Sequence, residues 1–130
     1  MNVHLILKEG DEDLVYLRNF LPPKSFGKFI NAVIKAERIG GRVIFALGYD
    51  PFGKENGYLD LRLAIKGKEN IEYVNALPSR KRTIVIKELI RKQIKLCQAD
   101  EIQWLEAERE EQRAAEEYEQ LRLQIKQNHQ

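Results

Sequence analysis

One pattern occurs twice in this chain, and it limits the fold more than any other feature. Residues 59–95 read LDLRLAIKGKENIEYVNALPSRKRTIVIKELIRKQIK. Leu59, Leu61, Leu63 and Ile65 alternate with Asp60, Arg62, Ala64 and Lys66, the period of two that marks a strand with one apolar face. Ile71, Val74 and Leu77 then recur at helical spacing, and Pro78-Ser79 breaks the run, with Ser79 a suitable N-cap. Ile84, Ile86, Leu89, Ile90 and Ile94 mark a second helix, surrounded by Arg80, Lys81, Arg82, Lys87, Arg91, Lys92 and Lys95. A unit of this size cannot bury enough apolar surface alone and needs a partner.

The partner lies earlier in the same chain. Val3, Leu5 and Leu7 alternate as Leu61, Leu63 and Ile65 do, and Lys8 falls where Lys66 falls. Tyr16-Leu17 matches Tyr73-Val74, and Asn19, Leu21 and Pro22 match Asn75, Leu77 and Pro78. Phe29, Ile30, Val33 and Ile34 match Val85, Ile86, Leu89 and Ile90 at a constant offset of 56. With two single-residue gaps, residues 1–38 and 59–99 read as two copies of one strand-helix-helix unit. In the first copy the spacing predicts a strand over Asn2 to Lys8 and a helix from Asp11 or Glu12 to Phe20. A second helix, capped by Ser25, runs to about Arg38 and is stopped by Gly40-Gly41.

Residues 39–58 connect the copies. Val43, Ile44 and Phe45 favour strands, and a structureless link of this length is unusual in a compact domain. A short strand near Val43 to Ala46, or packing of this segment on the core, is therefore expected. The competing arrangement is a long hairpin of residues 43–47 with 59–66, without repetition. Residues 100–130 form a charged helix with Asp100 as a possible N-cap. Trp104, Ala107, Glu111, Ala114, Tyr118, Leu121 and Ile125 follow alternating three- and four-residue steps, about the minimum for a coiled coil. Self-association or a protein partner through residues 100–130 is one expectation; a helix folded back on the body, or simply solvated, is the other.

Charge is unevenly spread. Residues 100–130 hold nine acidic and four basic side chains, net −5, so the rest of a chain of net +2 carries +7. A basic body suggests an anionic partner. Little supports catalysis, so the chain does not read as an enzyme. His4 and His129 sit at opposite ends, and Ser25 and Ser79 have no evident histidine to activate them. The single cysteine, Cys97, excludes an intrachain disulfide and a cysteine metal cluster. No metal or other cofactor is expected. The N-terminus lacks a signal-peptide layout, and no apolar run approaches the ~18 to 20 residues of a membrane span. A cytoplasmic protein is expected.

The strongest polar constellation is Ser79-Arg80-Lys81-Arg82 at a helix start, with Lys24-Ser25 at the matching place in the first copy. Free N–H groups and the dipole at a helix start favour an anion, and the added cations suit a phosphate. A strand followed by two helices resembles the ribbon-helix-helix proteins, the class that includes the Arc and MetJ repressors. The resemblance covers about residues 2–38 and 59–95. It implies an α+β fold in which two copies pair their strands into an antiparallel ribbon over four helices. Here both copies lie in one chain, as a tandem pseudo-dimer, with a long C-terminal helix added. It further implies sequence-specific binding of double-stranded DNA with the ribbon in the major groove. The role would be that of a transcriptional regulator, or of a plasmid or phage accessory factor of the partition or relaxosome type, in a bacterial cytoplasm. The ribbon's outward residues, Asn2, His4, Ile6, Asp60, Arg62 and Ala64, would then meet base edges. Lys24, Ser25, Ser79, Arg80, Lys81 and Arg82 would contact phosphates. The alternative function is a protein-interaction adaptor acting through residues 100–130, with the body as scaffold.

Overall fold

The two alternating runs pair with each other. In the computed structural model, which describes residues 1–128, β1 (Asn2–Leu7) and β2 (Leu59–Ala64) form a two-stranded antiparallel sheet. Its register sets Val3 opposite Leu63, His4 opposite Arg62 and Leu5 opposite Leu61. Around it the order is β1, α1 (Glu12–Phe20), α2 (Ser25–Ile39), β2, α3 (Lys68–Ala76), a 3-10 turn at Ser79–Lys81, and α4 (Arg82–Asn128). The fold is thus α+β, with one ribbon and four helices, the last of them 47 residues long. The chain divides into two units, Met1–Cys97 and Gln98–Gln130. His129 and Gln130 lie outside the described residues.

A two-stranded ribbon is marginal in water and needs cover on one face. Val3, Leu5, Leu7, Leu63 and Ile65 are buried, and Leu59 and Leu61 are packed against the same core at partial exposure. Helices supply the cover through their apolar stripes: Leu14, Val15 and Leu17 from α1, Phe26, Phe29, Ile30, Val33 and Ile34 from α2, Val74 from α3, and Ile86, Leu89, Ile90 and Ile94 from α4. The i, i+3, i+4 spacing that gives helices their stripe thus lands on the same core as the period-two face of the strands. Gly40, with φ of 74°, closes α2 in the left-handed conformation a residue without Cβ adopts freely.

The helix starts differ from the expected serine caps. The Ser25 N–H donates to the Pro22 carbonyl, which makes Ser25 the first residue of α2 rather than its cap, and no side chain caps that end. Ser79 lies in the 3-10 turn, where the Lys81 N–H donates to the Pro78 carbonyl, and α4 proper begins at Arg82. In both cases the proline carbonyl takes the N–H three residues on, so the chain enters the helix through a tight turn. Asp100 does not start a helix, because α4 continues through it.

The connector forms no strand, and the hairpin of residues 43–47 with 59–66 does not occur. It packs instead. The Val43 N–H donates to Oε1 of the buried Gln93 on α4, and the Glu55 N–H donates to the Glu12 carbonyl at the start of α1. These partners lie on helices, so no ladder can propagate. Phe45 stacks on Tyr49 with centroids 4.7 Å apart; Phe45 also meets Phe29 of α2, and Tyr49 meets Tyr16 and Phe20 of α1. Burial pushes the Tyr49 phenol well above its ordinary range, with nearby Cys97 and Tyr16 adding to the shift. The aromatic cluster fixes the connector where hydrogen-bonded pairing does not.

Gly53 is the tightest point of that packing. A Cβ there would come within 2.3 to 2.5 Å of the Tyr16 ring, which is itself held between Phe20 and Tyr49. Gly53→Ala is expected to destabilise the body by roughly 1 to 3 kcal/mol, the usual cost of overpacking, measured by urea denaturation. A control at Gly27, where a Cβ meets nothing within 4 Å and an alanine suits the helix better, should be neutral or stabilising.

Candidate nucleic-acid interface

The ribbon has one apolar face in the core and one face free. The register places the six outward residues in three cross-strand pairs, Asn2 with Ala64, His4 with Arg62 and Ile6 with Asp60. Asn2, His4, Asp60, Arg62 and Ala64 are exposed and Ile6 is partly buried. All six residues expected to meet base edges therefore share one surface. Period two alone accomplishes this, since a one-residue slip would send the whole set into the core. His4 Nε2 is hydrogen-bonded to Asp60 Oδ1 diagonally across the ribbon. Arg62 lies beside both, opposite His4 and two residues from Asp60 on the same face. The face thus offers a guanidinium fork, an imidazole and carboxylate pair, an amide and two apolar groups, a varied set of donors and acceptors on a narrow strip.

Two polar anchors fix the helices against the ends of the ribbon. On α2, Asn31 Nδ2 donates to the carbonyls of Gly27 and Ala64 at 2.9 Å, and its Oδ1 accepts the Lys66 N–H at 2.8 Å. This ties α2 to the chain leaving β2. Asn70, buried at the start of α3, donates to the Asn31 carbonyl and accepts from Arg38 Nε at 2.9 Å. At the other end, Asp11 Oδ2 accepts the Lys8 N–H and the Lys87 ammonium at 2.7 Å, and Oδ1 accepts Arg91 Nη2 at 2.8 Å. Arg91 also reaches Asp13. This ties α4 to the chain leaving β1. Burial alone would raise the Asp11 pKa, but hydrogen bonds from Lys87, Arg91 and the Lys8 N–H outweigh it and hold the carboxyl below its ordinary range.

The phosphate candidates lie upstream of these anchors. Lys24 and Arg80 each precede their anchor, Asn31 and Lys87, by seven residues. Lys24, Ser79, Arg80 and Lys81 are exposed, and Ser25 and Arg82 partly buried. The Arg82 Nε is buried without a hydrogen-bond partner. Neither α2 nor α4 carries an acidic residue in its first turn, so no side-chain carboxylate competes there for the free N–H groups. The first turn of α1, by contrast, holds Glu12 and Asp13. Sequence reasoning passed over Asn31 and Asn70, and took Asp11 only as a helix start and Lys87 only as one of the cations around the last helix. The available signal was an asparagine beside the apolar stripe of α2, at offset 56 from Lys87.

Among the described residues no group of His, Cys, Asp and Glu is arranged to hold a metal ion, and no helix is long and apolar enough to cross a membrane. In comparisons with family models, curated proteins and solved structures, the chain matches none.

Asp11→Ala leaves Lys87 and the Lys8 N–H without their shared acceptor. The expected loss is roughly 2 to 4 kcal/mol at neutral pH, below the figure for fully buried pairs because Arg91 keeps solvent contact. The folded-state pKa of Asp11 lies below its usual 3.8. Its contribution is therefore present above about pH 4 and fades as pH falls through the folded value. Urea melts of both proteins between pH 7 and pH 3 should show the gap narrowing below pH 4.

Proposed function

We propose that this chain is a fused pair of ribbon-helix-helix units. It binds double-stranded DNA sequence-specifically with its ribbon in the major groove, as a transcriptional regulator or as a plasmid or phage accessory factor. The observation that carries this reading is the register. Between the copies, strand positions differ by 58, as Leu5 and Leu63 do, while paired positions sum to 66. Leu5 therefore pairs with Leu61, the counterpart of Val3, and His4 pairs with its own counterpart, Arg62. A two-fold axis through the central pair has this consequence, and the paired dimers of the resembled family have such an axis. The polar anchors support the same reading. Asn31 and Lys87 are counterparts at offset 56; the Lys66 N–H is satisfied by the first copy's α2, whereas that of its counterpart Lys8 is satisfied within its own copy by a carboxylate that Lys87 of the second copy holds. Asn31 takes the Lys66 N–H directly, and Asp11, gripped by Lys87, takes that of Lys8.

An antiparallel two-stranded ribbon fits the major groove. Arg62 is the strongest candidate for direct readout, because its fork matches guanine O6 and N7. Asp60 suits cytosine N4, Asn2 suits adenine, and Ile6 and Ala64 suit thymine methyl groups. His4 stands at the centre with a hydrogen bond to Asp60, which orients its ring. Because His4 and Arg62 occupy equivalent places with different chemistry, the bound site is not a strict palindrome. Lys24 and Ser25 on one side, and Ser79, Arg80, Lys81 and Arg82 on the other, hold phosphates and set the position of the ribbon. The remaining reading, an adaptor acting through residues 100–130, draws on the exposed apolar residues of that helix, such as Trp104 and Tyr118.

The two contact classes fail differently. After selection of bound sequences from random duplexes, Arg62→Ala should cost roughly 1 to 3 kcal/mol at one base pair and relax preference there. Lys81→Ala should weaken all duplexes alike and flatten the dependence of log affinity on log salt by about one unit. Equal losses on selected and random DNA for Arg62→Ala would remove Arg62 as a reader of sequence.

A further inference from the structure

Two surfaces lie largely outside the proposed DNA contacts, with Ser25 at the edge of the first. The first is a cleft of about 750 Å³ between α2, the end of α1 and the connector, within the size range of ligand clefts. Its walls include Phe29, Ala32, Val43 and Phe45, and three cations, Lys28, Lys35 and Arg42, stand among its lining residues. None of the described residues lining it is acidic. Apolar surface stays uncovered here: Ile44 is 96% and Ile39 66% exposed. Monomers rarely leave such surface contiguous without use.

The second surface is the helix of residues 98–128. Trp104 is 57% exposed, and Tyr118, Leu121 and Ile125 are likewise uncovered. At 3.6 residues per turn these side chains share one stripe. Glu101 and Glu108 border it on one side, and Glu110 and Glu117 on the other; Glu111 lies within it. Two such helices laid antiparallel would oppose Glu110 and Glu117 along one edge of the seam, which is unfavourable there, although Arg122 would face Glu101 along the other. A basic-walled apolar cleft has the opposite charge and the matching apolar content.

We propose that the cleft beside α2 receives the acidic amphipathic C-terminal helix of a second copy of this chain. Apolar residues of the stripe, Trp104 first among them, pack along the cleft wall that Phe29 and Phe45 form together, while the bordering glutamates meet Lys28 and Lys35. The contact is self-complementary between copies: each supplies one cleft and one helix. It does not depend on the DNA reading, and it gives the acidic segment an intermolecular role.

Trp104 is the single tryptophan, so its emission reports on this contact in the unmodified full-length protein. From nanomolar to high micromolar protein, the emission maximum should move to shorter wavelength as the sedimenting mass rises from one chain to two. Added salt should reverse the shift, as screening of the charged rim requires. Ala32 and Lys35 are exposed on α2, so Ala32→Asp with Lys35→Glu should leave folding intact. That variant should hold the dilute emission and a single-chain mass at every concentration. Lys35→Glu alone should weaken association in the same direction, which provides a second reading if the double variant folds poorly. Emission and mass that do not change with concentration would overturn the proposal. So would a concentration-dependent shift that survives in both variants, since the helices would then be pairing with each other.

Discussion

Two six-residue strands hold each other only weakly in water, and in this chain they lie more than fifty residues apart. Their antiparallel pairing is the constraint on which the rest of the body depends. It sends Leu5, Leu7, Leu63 and Ile65 into one core and leaves His4, Asp60 and Arg62 outside. It also decides where the helices must lie, because the apolar side of the ribbon needs cover that neither α1 with α2 nor α3 with the start of α4 would supply alone. Each half of the chain therefore completes the other.

Apolar contacts tolerate sliding, whereas hydrogen bonds to specific backbone groups do not. Asn31 at one end of the ribbon and Asp11 with Lys87 and Arg91 at the other fix the helices to the strand ends. A buried carboxylate in contact with two cations and a backbone N–H is costly to displace, as is an asparagine whose amide and carbonyl are both engaged. These anchors convert a general hydrophobic match between helix stripes and ribbon into one defined placement. The basic starts of α2 and α4, seven residues upstream, inherit that definition. On the proposed reading this is what would hold cations at a fixed setting relative to the base-reading face.

The strands and helices were legible because each side of each element has its own period. Both strands fall within two residues of the ends that alternation suggests, and α1 to α3 follow the apolar stripes closely. The connector was legible only in part. Val43 and Phe45 pack as their apolar character requires, but their β-propensity does not become a strand because Gln93 and the aromatic rings of α1 and α2 occupy the partners a strand would need. Ser25 and Ser79 looked like caps by residue type, yet the proline carbonyls before them set the turn instead. Asp11 resembled an ordinary helix-start acid, and nothing in its local sequence announces that its carboxylate meets Lys87 and Arg91, about eighty residues later. Long-range polar pairs carry no periodic signature, so they remain hidden until the chain is folded.

The central proposal is that the free face of the ribbon, together with the basic starts of α2 and α4, is where DNA binds. Amide chemical-shift mapping on the full-length protein, titrated with a duplex selected for tight binding, tests it most directly. The account predicts perturbations concentrated at residues 2–6 and 60–64 and at the starts of α2 and α4, near residues 24–28 and 79–83. Residues 43–49 and the helix beyond Gln98 should be nearly unaffected at a protein concentration too low for self-association. Perturbations confined to the C-terminal helix or the connector, with the ribbon unchanged, would contradict it.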